Sequence, residues 1–146
     1  TFEAASYLKK KGADTIEVKK LFNSTLIDFV TKAEIIQSAK VIDEKICLAY
    51  SKAEVSNINI IVAQAADELL NIKDVEASFV LGKTKSGTIF VSARSLGSIN
   101  VDVLMEELGG GGHIDIAGAQ IEDTSLEEGY NKVLDIINKY LEEEAE

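Results

Sequence analysis

The 146-residue sequence predicts an α/β fold, a single domain with a mixed β-sheet flanked by helices and preceded by a short helical connector. Helical periodicity alternates along the chain with short apolar runs, which is typical of α/β architectures. The continuously apolar run at residues 46–50 indicates a strand buried on both faces. Two β-rich runs at residues 77–84 and 88–95 flank a Lys-Ser-Gly turn, which predicts a hairpin and adds antiparallel pairing to the sheet.

Each helix is predicted from apolar residues at helical spacing together with a start or stop signal. Gly12 ends the first helix, while Asp14, Ser56 and Ser125 are the N-cap residues of later ones. The acidic tail from Glu142 is expected to be frayed and exposed. The third helix is predicted from a stripe formed by Leu26, Phe29, Val30 and Ala33. The predicted helices cover residues 2–11, 14–21, 26–37, 57–69, 101–108 and 126–141, and a small-residue strand covers residues 117–121.

Composition excludes several classes of protein. The chain has 15 Lys+Arg against 25 Asp+Glu and a net charge of −10, which argues against wrapping long nucleic acid, because that binding needs many cations. Net charge does not exclude a small local anion site. One Cys rules out a disulfide framework, and one His rules out a multi-histidine metal centre. No segment is apolar enough to span a bilayer, and the start of the sequence has no basic-then-apolar signal.

The chain is expected to be a piece of a longer protein, because Thr1 is not an initiator residue. The predicted break lies near Asn23 and Ser24. It divides the sequence into a helical connector, residues 1–23, and a folded domain, residues 24–146.

Four glycines and a histidine at residues 109–113 form the main candidate binding element. A helix C-cap explains Gly109, because the residue after a helix often needs a positive φ angle, but one cap does not need four glycines. Successive glycines let the backbone approach a ligand closely, and their N–H groups can line an anion-binding concavity. His113 can donate a hydrogen bond to a phosphate oxygen or a ribose hydroxyl. A structural turn is the alternative.

Arg94 is the only arginine, and lysine fills every other Lys or Arg position. Its planar fork suits bidentate recognition of phosphate or carboxylate, but a surface ion pair on this acidic protein is an equally open alternative. Asn100 either caps the helix that begins near Val101 or faces the glycine run, and Ser95 is ambiguous in the same way.

Three further residues receive structural interpretations. Asp102 is expected on the solvated face of a short helix, and Asp115 is expected to be an exposed loop carboxylate. Cys47 lies inside an apolar run and is expected to be a buried structural thiol.

The motifs Ser-Ala-Arg-Ser at 92–95, Asn-Val at 100–101, Gly-Gly-Gly-Gly-His at 109–113 and Ala-Gly-Ala-Gln at 117–120 occur together. In combination they resemble the DHH-associated C-terminal domain of DHH-family phosphoesterases. The resemblance implies that Arg94 contacts phosphate, that the glycine-histidine loop cradles the nucleotide and that Asn100 supports it. The substrate-binding residues so implied are Arg94, Ser95, Asn100, Gly110, Gly111, Gly112 and His113.

The opening segment, residues 2–14, is similar to the GdpP-type branch of this family, which cleaves cyclic di-AMP. The resemblance implies the substrate-binding part of a phosphodiesterase whose parent is membrane-anchored, with its catalytic domains on the cytoplasmic side. It implies two manganese ions on a separate DHH domain, a nucleotide or cyclic dinucleotide as ligand, and leaves a homodimer open. Because no Asp-His-His triplet occurs here, we expect no metal site and no hydrolysis by this chain alone. The Ile-Asp-Ile tripeptide at 114–116 departs from the family pattern, which often has Asn and Ala there.

Other functions stay open. With the same chemistry, the parent could degrade short oligoribonucleotides or remove phosphate from a nucleotide. From another class, the chain could be a non-catalytic RNA-binding module like the related domain of alanyl-tRNA synthetases, although the net charge of −10 and the lack of a basic stripe argue against it. A regulatory ligand-binding domain without an attached enzyme is the last alternative.

Overall fold

The structure is a computed structural model that describes residues 2–12, 14–20 and 25–145. The predicted break near Asn23 and Ser24 and the predicted end of the second helix at Leu21 lie outside the described residues. Within these ranges, no helix has the length and hydropathy needed to span a bilayer.

The described residues form six helices and six strands. In chain order these elements are α1 (Phe2–Lys10), α2 (Thr15–Lys20), α3 (Leu26–Ser38), β1 (Lys40–Ile42), β2 (Ile46–Tyr50), α4 (Ile58–Leu69), β3 (Ala77–Lys83), β4 (Ile89–Ser95), α5 (Val101–Glu106), β5 (Gly111–Gly112), β6 (Ile116–Ile121) and α6 (Leu126–Ala145). The predicted helices and strands are therefore all present, while β1 and β5 were not predicted.

The six strands form one mixed sheet in the order β1-β2-β3-β4-β6-β5. Strands β2 and β3 are parallel and are joined by α4 as the crossover helix. The other four pairs are antiparallel, and β3 and β4 form the predicted hairpin, in which Gly87 has a φ of +100°. The predicted mixed sheet flanked by helices is thus confirmed.

Helices cover the two faces of the sheet unequally. Helices α5 and α6 pack on one face, where Leu48, Phe79 and Val91 belong to the larger core. On the opposite face, α4 packs on β3 and β4, and α3 packs on α4 and β2, around a second core. Position 82 in β3 must be glycine, because a Cβ there would overlap Ile58 and would lie 2.8 Å from Val62 Cγ1. As a result, α4 lies directly on the β3–β4 hairpin.

Three local expectations are wrong. Asn57, not Ser56, is the N-cap of α4, and its side chain makes no capping bond. The predicted stripe of α3 is largely exposed, while Thr31 and Ile35 are the buried residues of that helix. The acidic tail is exposed as expected, but it continues α6 as a helix to Ala145, because the apolar stripe before it packs on the sheet and supports the following turn.

Candidate functional site

An open cleft of about 500 Å³ lies over β4 and β6, on the face of the sheet that carries α4. Helix α4 packs on β3 and β4. On the same face, the neighbouring strand β6 has no helix packed on it among the described residues. The loop that joins α5 to β5 forms one wall. The cleft is lined by Phe90, Val91, Ser92, Gly109, Gly110, Gly118, Ala119 and Gln120.

Three side chains of β4 share this face, because successive residues of a strand point to opposite sides. Phe90, Ser92 and Arg94 alternate with Val91 and Ala93, which belong to the core against α5 and α6. At about 3.3 Å per residue, Phe90 and Arg94 are about 13 Å apart along the strand. This face of β4 therefore presents an aromatic ring, a hydroxyl and a guanidinium in a row.

The neighbouring strand β6 continues the row with small and polar residues. The register places Gln120 opposite Phe90, Gly118 opposite Ser92 and Ile116 opposite Arg94. Directly opposite residues of an antiparallel pair share a face. Phe90, Ser92 and Gln120 were not predicted as site residues, although period-two alternation through Arg94 was the available signal.

Two glycines of the run, Gly110 and Gly112, are required by close packing of the backbone. Gly109 has a φ of +81° and follows α5 as its terminator, as expected. A Cβ on Gly110 would lie 2.7 Å from Ala119 Cα, and a Cβ on Gly112 would lie 2.6 Å from Ala117 Cα. Only glycine at these two positions lets β5 lie against β6 as the edge strand.

At least four of the five backbone N–H groups in residues 109–113 donate within the protein. Those of Gly109 and Gly110 donate to the carbonyls of Glu106 and Met105. The Gly112 N–H donates to Asp102 Oδ1 at 2.7 Å, and the His113 N–H donates to the Ile116 carbonyl at 2.7 Å. The expected row of N–H groups turned toward an anion is therefore not formed here, because helix termination and strand pairing use them.

Asp102 holds the glycine loop, so its interpretation as a solvated helix residue is wrong. It lies in the first turn of α5 and is half-buried, and its Oδ1 also lies 3.3 Å from the position a Cβ of Gly111 would take. The available signal in the sequence was a carboxylate in the first turn of the helix that directly precedes the glycine run.

Arg94 forms an ion pair with α4, which is the alternative the sequence left open. Its Nε donates to Asp67 Oδ1 at 2.8 Å, and its Nη1 donates to the Ala93 carbonyl at 3.0 Å. The side chain of Arg94 is 14% exposed, and that of Asp67 is 62% exposed. Arg94 is two residues after Ser92 on β4 and lies on the same face of the strand. It is therefore next to the cleft but is not one of the residues that line it.

The side chains of Ser95 and Asn100 are engaged away from the cleft. Ser95 is buried, and its Oγ accepts a hydrogen bond from the Gly97 N–H at 3.0 Å. Asn100 is the N-cap of α5, with Oδ1 accepting from the Asp102 N–H at 3.1 Å and the Val103 N–H at 3.4 Å. The structure thus uses both residues to fix the connection between β4 and α5.

The rest of the sheet edge is exposed. His113 follows β5, is exposed and is not among the residues that line the cleft. Ile114 and Ile116 are each 51% exposed, and Asp115 is exposed as expected.

Two other chemical groups are placed by the structure. Cys47 is buried in the core beneath α3 and α4, as expected, and burial raises the pKa of its thiol. Among residues 2–12, 14–20 and 25–145, no group of three or more His, Cys, Asp or Glu side chains is arranged to hold a metal ion. The described part of the chain therefore does not fit a metal centre.

Comparison with known proteins gives a family match. The DHHA1 domain matches residues 43–143. The chain is 42% identical over 142 residues to the cyclic-di-AMP phosphodiesterase GdpP of Geobacillus thermodenitrificans, covering 97% of this chain and 22% of that protein. It is 34% identical over 146 residues to a membrane protein–large ribosomal subunit bL9 fusion protein of Aster yellows witches'-broom phytoplasma, covering 100% of this chain and 17% of that protein.

A shorter match and a solved structure complete the comparison. The bifunctional oligoribonuclease and PAP phosphatase NrnA of Thermus thermophilus is 37% identical over 73 residues, covering 48% of this chain and 22% of that protein. An exopolyphosphatase-related protein from Bacteroides fragilis superposes with a TM-score of 0.72 at 20% identity, covering 97% of this chain and 42% of that one. That likeness shows a shared fold. The chain spans about a fifth of the length of the curated relatives that it matches.

Proposed function

This chain belongs to the DHHA1 domain family, and we propose that it is the substrate-binding domain of a phosphodiesterase that hydrolyses cyclic di-AMP. The observation that carries the proposal is the 42% identity to a cyclic-di-AMP phosphodiesterase across 97% of this chain. The alignment covers 97% of this chain, so it extends into the opening helices α1 and α2, outside the family match to residues 43–143. We assign residues 1–23 to a connector and residues 24–146 to the substrate-binding domain, because α3 packs on α4 and β2.

Within the domain, the open face over β4 and β6 is the proposed nucleotide site. Arg94 supplies the charge that a phosphate group needs, and its guanidinium fork suits two phosphate oxygens. Gly110 and Gly118 line the cleft, so that a nucleotide can contact the backbone there. His113 closes the outer end as a hydrogen-bond donor. Ser95 and Asn100 act in support, through the backbone that they fix.

Hydrolysis is assigned to a separate domain of the parent protein. The described residues do not fit a metal centre. The two manganese ions that the family resemblance implies would lie on the DHH domain, where they would activate the attacking water. This chain would bind and orient the substrate across a cleft between the two domains. On this proposal the chain alone is inactive.

The proposed setting is a membrane-anchored parent with this domain on the cytoplasmic side. One relative covering the whole chain is named a membrane protein, which supports the anchor. The net charge of −10 agrees with a ligand of a few phosphates and not with long nucleic acid. Whether the parent forms a homodimer stays a prediction.

A second candidate is a parent that degrades short oligoribonucleotides or removes phosphate from a nucleotide. The match to a bifunctional oligoribonuclease and PAP phosphatase favours it, although that match covers 48% of this chain. Both candidates need a site for a nucleotide on the same face of the sheet, so ligand preference separates them.

Calorimetric titration of the 146-residue chain tests the proposal. Cyclic di-AMP, its linear dinucleotide product and a short RNA are the probes, and the two adenine dinucleotides are expected to bind more tightly than the RNA. Arg94→Ala and His113→Ala are expected to weaken binding, while Lys132→Ala on the exposed surface of α6 serves as the charge control. If no probe binds, or if only the RNA binds, the proposal fails.

A further inference from the structure

The structure assigns a positioning role to Asp67: it holds the guanidinium of Arg94 in place so that the remaining N–H groups can receive an anionic group of the ligand. This inference rests on the proposed function, because it concerns the residue that orients Arg94 in the proposed nucleotide site. Sequence reasoning gave Asp67 no role, and the two residues are 27 positions apart in the chain.

The first step concerns where α4 lies. Ser78 on β3 is buried, and its Oγ donates to the Ala66 carbonyl of α4 at 2.6 Å. Ser78 is the register partner of Arg94, so the two side chains lie side by side on the same face. The residue after Ala66 is Asp67. The helix is therefore tied to the sheet at the point that brings the Asp67 carboxylate to Arg94.

The second step concerns the donors of the guanidinium. Arginine has five N–H donors in a rigid plane. One on Nε donates to Asp67, and one on Nη1 donates to the Ala93 carbonyl. Because the plane is rigid, these two bonds fix all five donors. The three N–H groups that belong to neither bond are held in the same orientation.

The third step separates positioning from a plain surface ion pair. The Asp67 side chain is 62% exposed, so the pair is in contact with solvent and adds little to stability. Arg94 itself is 14% exposed, and a long side chain held before binding loses less conformational entropy when the ligand arrives. Removing Asp67 should therefore weaken ligand binding more than it weakens the fold.

The neighbouring residue supplies a matched control. Glu68 is also on α4 and pairs with Lys32 at 3.0 Å, away from Arg94. Glu68→Ala removes the same charge from the same helix and leaves the Asp67–Arg94 pair intact. Asp67→Asn removes the charge but keeps an oxygen that can accept from Nε.

Calorimetry with cyclic di-AMP and its linear product measures the effect on binding. Asp67→Ala is expected to weaken binding between about twofold and tenfold, the range for ordering one rotamer-rich side chain. Asp67→Asn is expected to restore most of the affinity, and Glu68→Ala is expected to change it less than twofold. Unchanged affinity in Asp67→Ala would overturn the inference in favour of an idle surface pair. Tighter binding would overturn it in favour of a carboxylate that masks the site.

A second readout does not depend on nucleotide binding. Since Arg94 is the only arginine, its Nε–Hε group gives a single, unambiguous signal in a ¹H–¹⁵N spectrum of the side chains. The ¹⁵N relaxation of this signal is expected to report a rigid group in the wild type and in Glu68→Ala, and a mobile one in Asp67→Ala. A rigid signal in Asp67→Ala overturns the inference even if nucleotides bind. Failure of the wild type to bind either dinucleotide overturns the proposed function, whereas the Nε signal still decides whether Asp67 orders Arg94.

Discussion

The two halves of the sheet are built from different residues. In the covered half, β2 and β3 lie between helices, and large side chains such as Leu48, Phe79 and Leu81 are fully buried. In the open half, β5 consists of two glycines, β6 carries Ala117, Gly118 and Ala119 at its centre, and a helix packs on one face only among the described residues. The covered half is stabilised by the packing of large buried apolar side chains, and the open half is stabilised by close backbone contacts and hydrogen bonds.

This difference explains why the candidate site lies where it does. The small residues Gly118 and Ala119 leave the backbone of β6 accessible, and they line the cleft together with Phe90, Ser92 and Gln120. The same absence of volume makes the open half depend on a few hydrogen bonds, such as those from Gly112 and His113. Substitutions in the two halves should therefore differ in how much stability they remove and in which amides they affect.

The largest loss of stability is expected from Phe79→Ala in the covered half. Phe79 is fully buried between the sheet and α6, and truncating a buried Phe costs about 3–5 kcal/mol in the free energy of unfolding. Urea denaturation measures this loss. The amide chemical shifts of Gly111 and Gly118, in the open half, are expected to stay in place in the folded fraction. A loss below about 2 kcal/mol, or large shifts at these glycines, would contradict the division into two halves.

The next loss is expected from Gly110→Ala in the open half. The added Cβ would lie 2.7 Å from Ala119 Cα, so backbone must move, at a cost of about 1–3 kcal/mol. Gly109→Ala is the control: it has open space around its Cβ position and a φ of +81°, so only local strain of about 1 kcal/mol is expected. Hydrogen exchange at the β5 amides should accelerate in Gly110→Ala alone. Equal exchange in both variants would mean that contact with β6 is not what requires glycine.

The buried strands of the covered half were predicted well from the sequence. Runs such as residues 46–50 and 77–84 gave their strands correctly, because burial imposes an apolar pattern that is visible along the chain. The two-residue strand β5 has no such pattern, since Gly111 and Gly112 carry no side chains. It exists only because β6, later in the sequence, lies beside it.

The same reason limits what could be predicted of the candidate site. The glycine run and Arg94 stood out by composition, and both lie at or beside the cleft. Their partners did not stand out, because Asp67 and Asp102 reach them across 27 and 10 positions of sequence. Which face of β4 would be open also depended on where α4 stops, and periodicity alone does not give that.

A smaller effect is expected when the loop in the open half loses its carboxylate. Asp102→Ala removes the acceptor of the Gly112 N–H, and one such hydrogen bond contributes about 1 kcal/mol. Asp102→Asn keeps an acceptor oxygen and should retain most of this stability. Glu106→Ala, on the exposed side of the same helix, controls for lost charge. Faster hydrogen exchange at Gly112 in Asp102→Ala, and in neither of the other two, is the expected result; equal exchange in all three would remove Asp102 from its anchoring role.

The smallest effect expected at moderate pH is a pH dependence of stability that originates in the covered half. Burial raises the pKa of the Cys47 thiol, so the folded protein keeps this proton at a pH where the unfolded chain has released it. Stability is therefore full below the unfolded pKa of about 8.5 and falls as the pH rises toward the folded value. Integrated from low pH, the loss for one group with an unfolded pKa of about 8.5 stays below about 0.9 kcal/mol at pH 9.

Urea denaturation of the wild type and of Cys47→Ala between pH 7.5 and about 9.5 measures this loss. The stability of the variant should fall less steeply with pH, although the variant is less stable throughout because of the cavity. Identical slopes would assign the pH dependence to other groups, such as Tyr130, whose pKa is also raised by burial and by its proximity to Tyr50. Because Cys47 lies under α3 and α4 and not at the cleft, this titration should leave nucleotide affinity of the folded protein unchanged.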